Sequence, residues 1–186
     1  NSLKYQNLLI VSASYVFYGW WDWRFLGLII FSTVLDFFIG KSLEKAKLEL
    51  NRKLLLYTSI TANLGVLGVF KYFDFFVSNF IDAFSLFGVE ISAGSLNIIL
   101  PVGISFYTFQ TLSYSIDVYR RKLKHTDDFI AFSAFVCFFP QLVAGPIERA
   151  TNLLPQFLNA RKFNYEQAAD GMRQILWGFF KKVVIA

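Results

Sequence analysis

Phe138-Phe-Pro-Gln-Leu-Val-Ala-Gly-Pro-Ile-Glu-Arg149 is the stretch whose reading decides the fold. An apolar run arrives at it from Phe129 and is expected to be helical. Pro140 lacks the N–H that a helix interior needs, and Gly145-Pro146 forbids a simple continuation. Gln141, Glu148 and Arg149 sit beside the break, and such groups are costly in lipid. Broken backbone at membrane depth is tolerated where it is buried in protein or lines a polar cavity. Two readings follow: a helix that ends at an interface with a proline turn, or a re-entrant segment near Pro140–Pro146 that walls a substrate path.

Outward from this stretch, composition points to a membrane. The chain is 55% hydrophobic and only 17% charged, with 23 phenylalanines, where a soluble domain carries about 25% charged residues. The net charge of +5 sits in the gaps between long apolar runs, so it reads as membrane topology and not as nucleic-acid binding. Cys137 and His125 are each the sole residue of their type. That excludes an intrachain disulfide and a multi-histidine metal site within this chain. The expected class is all-α: a polytopic helical membrane protein, read as one transmembrane region over residues 1–186. Starting at Asn1 and stopping at Ala186 inside an apolar run, the chain reads as a piece truncated at both ends.

Leu8–Trp20 is apolar but short of the ~20 residues of a straight span, and is expected to be the end of a helix. Tyr18–Arg24 is Trp-rich and fits an aromatic anchor at headgroup level. Phe25–Gly40 is the next span, with Asp36 near its end. The loop expected at Lys41–Lys53 holds five basic residues against two acidic ones, which places it in the cytoplasm. Leu54–Asp82 reads as a tilted helix, and Asp82–Ser95, with acids and no Lys or Arg, as an external loop. Leu96–Tyr119 crosses back, with Pro101 near its start. Arg120, Arg121, Lys122 and Lys124 close it on the cytoplasmic side.

On this returning helix Tyr107, Gln110, Tyr114, Asp117 and Arg121 recur at intervals of three and four, which puts them on one stripe. The stripe either glues helices together by hydrogen bonds or walls a cavity. Thr126 is expected to cap the next helix, with Asp127 and Asp128 in its first turn. His125 reads as an ordinary loop histidine, since no partner carboxylate stands at a telling spacing. Asn152–Asn159 is expected to be a short interfacial helix. Asn164 with Gln167 resembles a capping box, opening a helix that runs to Ala186 with Lys181-Lys182 interrupting its apolar face.

Two long motifs, Leu100-Pro-Val-Gly-Ile-Ser-Phe-Tyr-Thr-Phe-Gln-Thr-Leu-Ser-Tyr-Ser-Ile-Asp-Val-Tyr-Arg120 and Phe139–Arg149, strongly resemble the membrane-bound O-acyltransferase family. The nearest branch is the bacterial one that O-acetylates alginate, which Tyr18-Gly-Trp-Trp21 and Phe70-Lys-Tyr72 also resemble. The resemblance implies a many-helix bundle with a funnel-like interior, of which this chain is the N-terminal part. It implies transfer of acetyl groups from a cytoplasmic thioester donor, acetyl-CoA or an acyl carrier, toward extracytoplasmic polysaccharide hydroxyls. Extracytoplasmic acetyltransferase partner proteins and a bacterial inner-membrane location come with it, and no bound cofactor. The family's signature histidine falls in a helix beyond Ala186, and His125 does not stand in for it. No catalytic residue is therefore expected in this chain, which would be inactive alone. Gln110, Tyr114, Asp117, Gln141 and Arg149 are the expected substrate-path residues, with Asp36, Asp117 and Glu148 only weak candidates for a base. Transfer of D-alanine to teichoic acid, within the same family, is the nearest alternative. A transporter or a purely structural membrane subunit are the alternatives from other classes.

Overall fold

The computed structural model describes residues 2–142 and 145–185 except for residues 86–100. Most of the expected external loop and the start of the expected Leu96–Tyr119 crossing lie outside the described residues.

Among the described residues the fold is all-helical. Helix α1 spans Ser2–Asp22, about 31 Å at 1.5 Å per residue. It is longer than its apolar stretch suggests, because polar positions on it are buried: Asn7 and Ser14 face protein. At its end Asp22 caps a single 3-10 turn, Trp23–Phe25, by accepting the Arg24 N–H at 3.0 Å. Trp20 and Trp23 stay exposed beside it, as an interfacial anchor requires. Helix α2, Leu26–Lys45, continues from that turn, and α3 spans Glu49–Ser85. The continuous Trp23–Lys45 helix and α3 are long and apolar enough to cross a bilayer.

The expected Lys41–Lys53 loop is largely helical. Only three residues separate α2 from α3, and Arg52 explains how so tight a corner closes. Its buried guanidinium donates to the carbonyls of Leu43, Val118 and Tyr119, the last at 2.6 Å. Leu43 lies in the last turn of α2, and Val118 and Tyr119 end the helix Ile104–Tyr119. Each helix end leaves carbonyls without an intrahelical partner and carries a partial negative charge, so one arginine caps two helices.

Helix α4 spans Ile104–Tyr119. It starts three residues after Pro101 because Gly103 adopts φ 78°. A Cβ there would stand 2.6 Å from the Leu142 carbonyl oxygen, so glycine also permits the close approach of the broken segment. The far end closes on Arg121, the one described non-glycine residue with positive φ, at 59°. The N–H groups of Arg121 and Lys122 return to the carbonyls of Val118 and Asp117, a cap that glycine usually supplies. A side chain in that conformation costs about 1 kcal/mol.

Helix α5 spans Phe129–Cys137, and every residue from Ala131 to Cys137 is buried. Asp128, not Thr126, is its cap, accepting the Ala131 N–H at 3.0 Å. Thr126 instead accepts the Asp128 N–H in a turn, and Asp127 is drawn outward to Lys41 at 2.9 Å. Helix α7, Ala150–Leu158, packs on α5, α4 and α1. Helix α8, Tyr165–Phe180, opens with Asn164 accepting the Gln167 N–H at 3.2 Å. It loosens into a π-helical turn at Lys181–Ile185, where the lysine pair was expected to interrupt the apolar face.

Candidate functional site

The break itself falls two residues before Pro140, at Phe138. Phe138 takes ψ 102° and ends α5. Pro140 then sits in the first turn of a new short helix, α6, Phe139–Leu142, where a missing N–H does no harm. The freed groups find partners nearby: the Phe138 carbonyl accepts from Gln141 and Leu142, and Ser14 accepts the Phe139 N–H. Gly145 presses on Gln141, where a Cβ would come within 2.6 Å of the Gln141 Cα. The segment is discontinuous as expected.

Contacts along α1 show where the chain goes next. Phe139 packs on Phe17, with ring centroids 5.4 Å apart, close to Ser14. By Phe157 and Arg161 the chain has reached Asn7: the Asn7 amide donates to the Phe157 carbonyl at 2.7 Å, and Arg161 donates to Asn7 Oδ1. Seven residues of helix separate Ser14 from Asn7, about 10 Å. From α6 through α7 the chain therefore runs back along α1 toward its start.

Four of the five expected path residues are buried, and two of these prove to be interhelical fasteners. Gln110 Nε2 donates to the Phe135 carbonyl at 2.6 Å, which ties α4 to α5. Tyr114 is fully buried, its ring tilted against that of Phe132 with centroids 4.5 Å apart, and its hydroxyl accepts the Thr126 N–H. A Cβ on Gly40 would lie 2.6 Å from the Tyr114 ring, so glycine lets α2 receive that ring. Asp117 is buried at the end of α4 and its main-chain carbonyl takes part in the helix cap. Gln141 is buried with its Nε2 unpartnered. Arg149 is exposed at the N-cap of α7, apart from the buried four.

Open polar atoms gather on the elements that meet around the break. Besides Gln141 Nε2, the buried Thr108 hydroxyl has no hydrogen-bond partner among the described residues, and the buried Tyr18 and Tyr107 hydroxyls have only each other. They belong to α1, α4 and α6. Buried groups without partners are rare in folded proteins.

The largest polar assembly was not read from the sequence. Asp36 on α2 is fully buried and accepts from Ser59 and Asn63 of α3, at 2.5 and 2.7 Å, and from Ser115 of α4, at 2.6 Å. Thr111 adds a longer bond to Asn63 Oδ1 at 3.4 Å. Arg52, Ser59 and Asn63 are spaced seven and four apart, so a polar face on α3 was the signal that could have found it. With both carboxylate oxygens occupied by neutral donors, Asp36 is a three-helix lock and a poor base.

His125 was expected to lack a carboxylate partner, and it has two. Its ring stands 2.5 Å from Glu44 and 3.4 Å from Asp127, because the short 120–128 loop folds back against the end of α2. Lys41 holds the Asp127 carboxyl below the ordinary carboxylate range by hydrogen bonding, with its charge adding to the effect. No group of three or more His, Cys, Asp or Glu residues able to hold a metal occurs among the described residues.

No family profile matches the chain, and no solved structure does. Curated proteins do match. The chain is 42% identical over 184 residues to the Azotobacter vinelandii protein named "Probable alginate O-acetylase AlgI", covering 98% of this chain and 36% of that protein. The protein of the same name from Pseudomonas aeruginosa is 41% identical over 184 residues, covering 98% and 35%. The peptidoglycan O-acetyltransferase of Helicobacter pylori is 32% identical over 208 residues, covering 98% and 38%. The chain thus spans about a third of the length of these relatives. The resemblance to membrane-bound O-acyltransferases carried by the two motifs is shown along nearly the whole chain, which matches one stretch of the alginate and peptidoglycan O-acetylating proteins.

Proposed function

We propose that this chain is the N-terminal part of a membrane-bound O-acetyltransferase of a bacterial inner membrane, crossing the bilayer several times. The complete protein moves acetyl groups from a cytoplasmic thioester donor, acetyl-CoA or an acyl carrier, toward hydroxyls of an extracytoplasmic polysaccharide. Extracytoplasmic acetyltransferase proteins and the polysaccharide acceptor are its expected partners. Similarity to O-acetylating relatives over 98% of the chain carries this reading.

The chemistry requires a hydroxyl oxygen to attack the thioester carbonyl while the hydroxyl proton passes to a base. The thiolate then leaves and is protonated. A base and donors for the developing oxyanion are the two demands. The residues of this chain answer the second better than the first. Asp36 is saturated by three donors, and His125 is held by two surface carboxylates. The resemblance implies that the base is the family's signature histidine, which it places beyond Ala186. Gln141 Nε2 is a buried, unused donor beside the break, suited to hold a carbonyl or hydroxyl oxygen passing along α6. The return of the chain along α1 after α6 supports a re-entrant segment that walls the path.

The test uses membrane vesicles that carry the complete protein and labelled acetyl thioester, supplied as acetyl-CoA or as an acyl carrier. Alkali-labile acetyl label on polysaccharide hydroxyls is expected, and Gln141→Leu, which removes the buried donor, lowers its rate at matched protein abundance. Transfer of D-alanine in place of acetyl, or no transfer with either donor, overturns the proposal.

A further inference from the structure

Where α2 and α4 end, the structure leaves a cavity of about 280 Å³ lined by Glu44, Ala46, Arg52, Val118, Arg121, Leu123 and Lys124. Three of the seven lining residues are basic and one is acidic. That volume is at the lower edge of ordinary ligand pockets, ~300 Å³.

The lining side chains are not equivalent. Arg52 is spent on three carbonyls. Glu44 is bonded to the His125 N–H and ring. Arg121 and Lys124 make no ion pair among the described residues. The main-chain N–H groups of residues 120–123 all return to α4 carbonyls. Arg121 and Lys124 are therefore the lining side chains left to meet a ligand, and both are cationic.

Arg121 gives the stronger indication. It occupies the left-handed cap position, at φ 59°, where glycine fits without strain. A cap needs only that residue's backbone. The side chain stands at a position that disfavours it, and it borders the cavity.

We propose that this cavity binds a phosphate-bearing anion, held by Arg121 and Lys124 as charge-assisted donors. The site is separate from the break around Gln141 and does not depend on the acyl-transfer reading. Such a phosphate reaches it as the headgroup of an anionic lipid or as a soluble phosphate ester.

The experiment uses the complete protein and two probes. Inorganic pyrophosphate is titrated calorimetrically in detergent, and retention of phosphatidylglycerol against phosphatidylcholine is read by native mass spectrometry. Arg121→Gly with Lys124→Gln empties the cavity of free cations while easing the backbone, so folding is preserved. Arg120→Gln with Lys122→Gln removes the same charge from the same loop outside the cavity. The first pair is expected to weaken one probe about tenfold, as loss of a charge-assisted hydrogen bond does, with the second pair leaving it within about twofold. A loss confined to pyrophosphate identifies a soluble ester, and one confined to phosphatidylglycerol identifies a lipid headgroup. Binding of neither probe, or equal weakening by both pairs, overturns the site.

Discussion

Replacing Asp36 with alanine is the sharpest test of how the bundle holds together. The carboxylate accepts from Ser59, Asn63 and Ser115; alanine takes that acceptor from all three, and leaves Asn63 Nδ2 only its bond to the Ser59 carbonyl. Side-chain hydrogen bonds between membrane helices are worth about 0.6 kcal/mol on average and up to ~1.7 kcal/mol. Three such bonds therefore set the loss at about 2 kcal/mol, with ~5 kcal/mol as the ceiling. Relief from burying a carboxylate works in the other direction, which favours the lower figure. Asparagine keeps one acceptor for the two serines but turns an amide N–H₂ toward Asn63, so its cost is expected to be about half as large. Unfolding of the complete protein in mixed detergent–SDS micelles measures these losses. A double-mutant cycle with Ser115→Ala adds the decisive control, because serine has little left to lose once Asp36 is gone. If Asp36→Ala is as stable as the parent, or if Ser115→Ala costs the same in both backgrounds, the three-helix lock does not exist.

Gly40→Ala places a methyl group 2.6 Å from the Tyr114 ring and is expected to destabilise by about 1–3 kcal/mol, as overpacking does, with Tyr114→Leu in the same chain recovering part of it. Arg52→Met removes the cap shared by α2 and α4 and is expected to cost about 2–4 kcal/mol, read in the same micelle assay; a neutral result would show that water serves those carbonyls equally well. The pH dependence of the 120–128 loop follows from Asp127. Its folded carboxyl is held below its unfolded value by Lys41, so its stabilising contribution is present above the ordinary aspartate range near ~4. That contribution is lost as pH falls through the lowered folded value. Lys41→Gln should raise the Asp127 titration seen by carbon NMR, and an unchanged titration would show that the ion pair has no effect.

The helices were legible because their signals are local. The apolar runs, the Asn164 cap and the weakness of the backbone around Pro140 all express short-range chemistry, and each has its counterpart in the structure. The stripe on α4 was legible as a buried face, since three- and four-residue spacing follows from helix geometry alone. What Gln110 and Tyr114 do on that face was not, because their partners are main-chain groups of Phe135 and Thr126, which carry no side-chain signature. The same limit hid Arg52. A basic residue in a basic stretch reads as a surface charge until the ends of two helices are known to converge on it. Asp36 was visible as a lone acid in an apolar span, but its meaning depends on Ser59 and Ser115, 23 and 79 residues away. His125 was read as partnerless for a similar reason, since Glu44 is 81 residues distant. The end of α5 moved from Pro140 to Phe138 because a proline is accommodated better by starting a helix than by interrupting one.

The re-entrant segment is tested most directly by asking on which side of the membrane the chain emerges after α7. A single cysteine at Arg161, in the complete protein with Cys137→Ala, is labelled with a membrane-impermeant maleimide in intact cells and after lysis. A second cysteine at Lys124, in the basic loop, marks the cytoplasmic side. A chain that turns at α6 and returns along α1 leaves the Arg161 position protected in intact cells and labelled only after lysis, matching Lys124. Labelling of the Arg161 position in intact cells, with Lys124 still protected, would mean that Phe129–Leu158 crosses the bilayer, and the re-entrant wall would have to be abandoned.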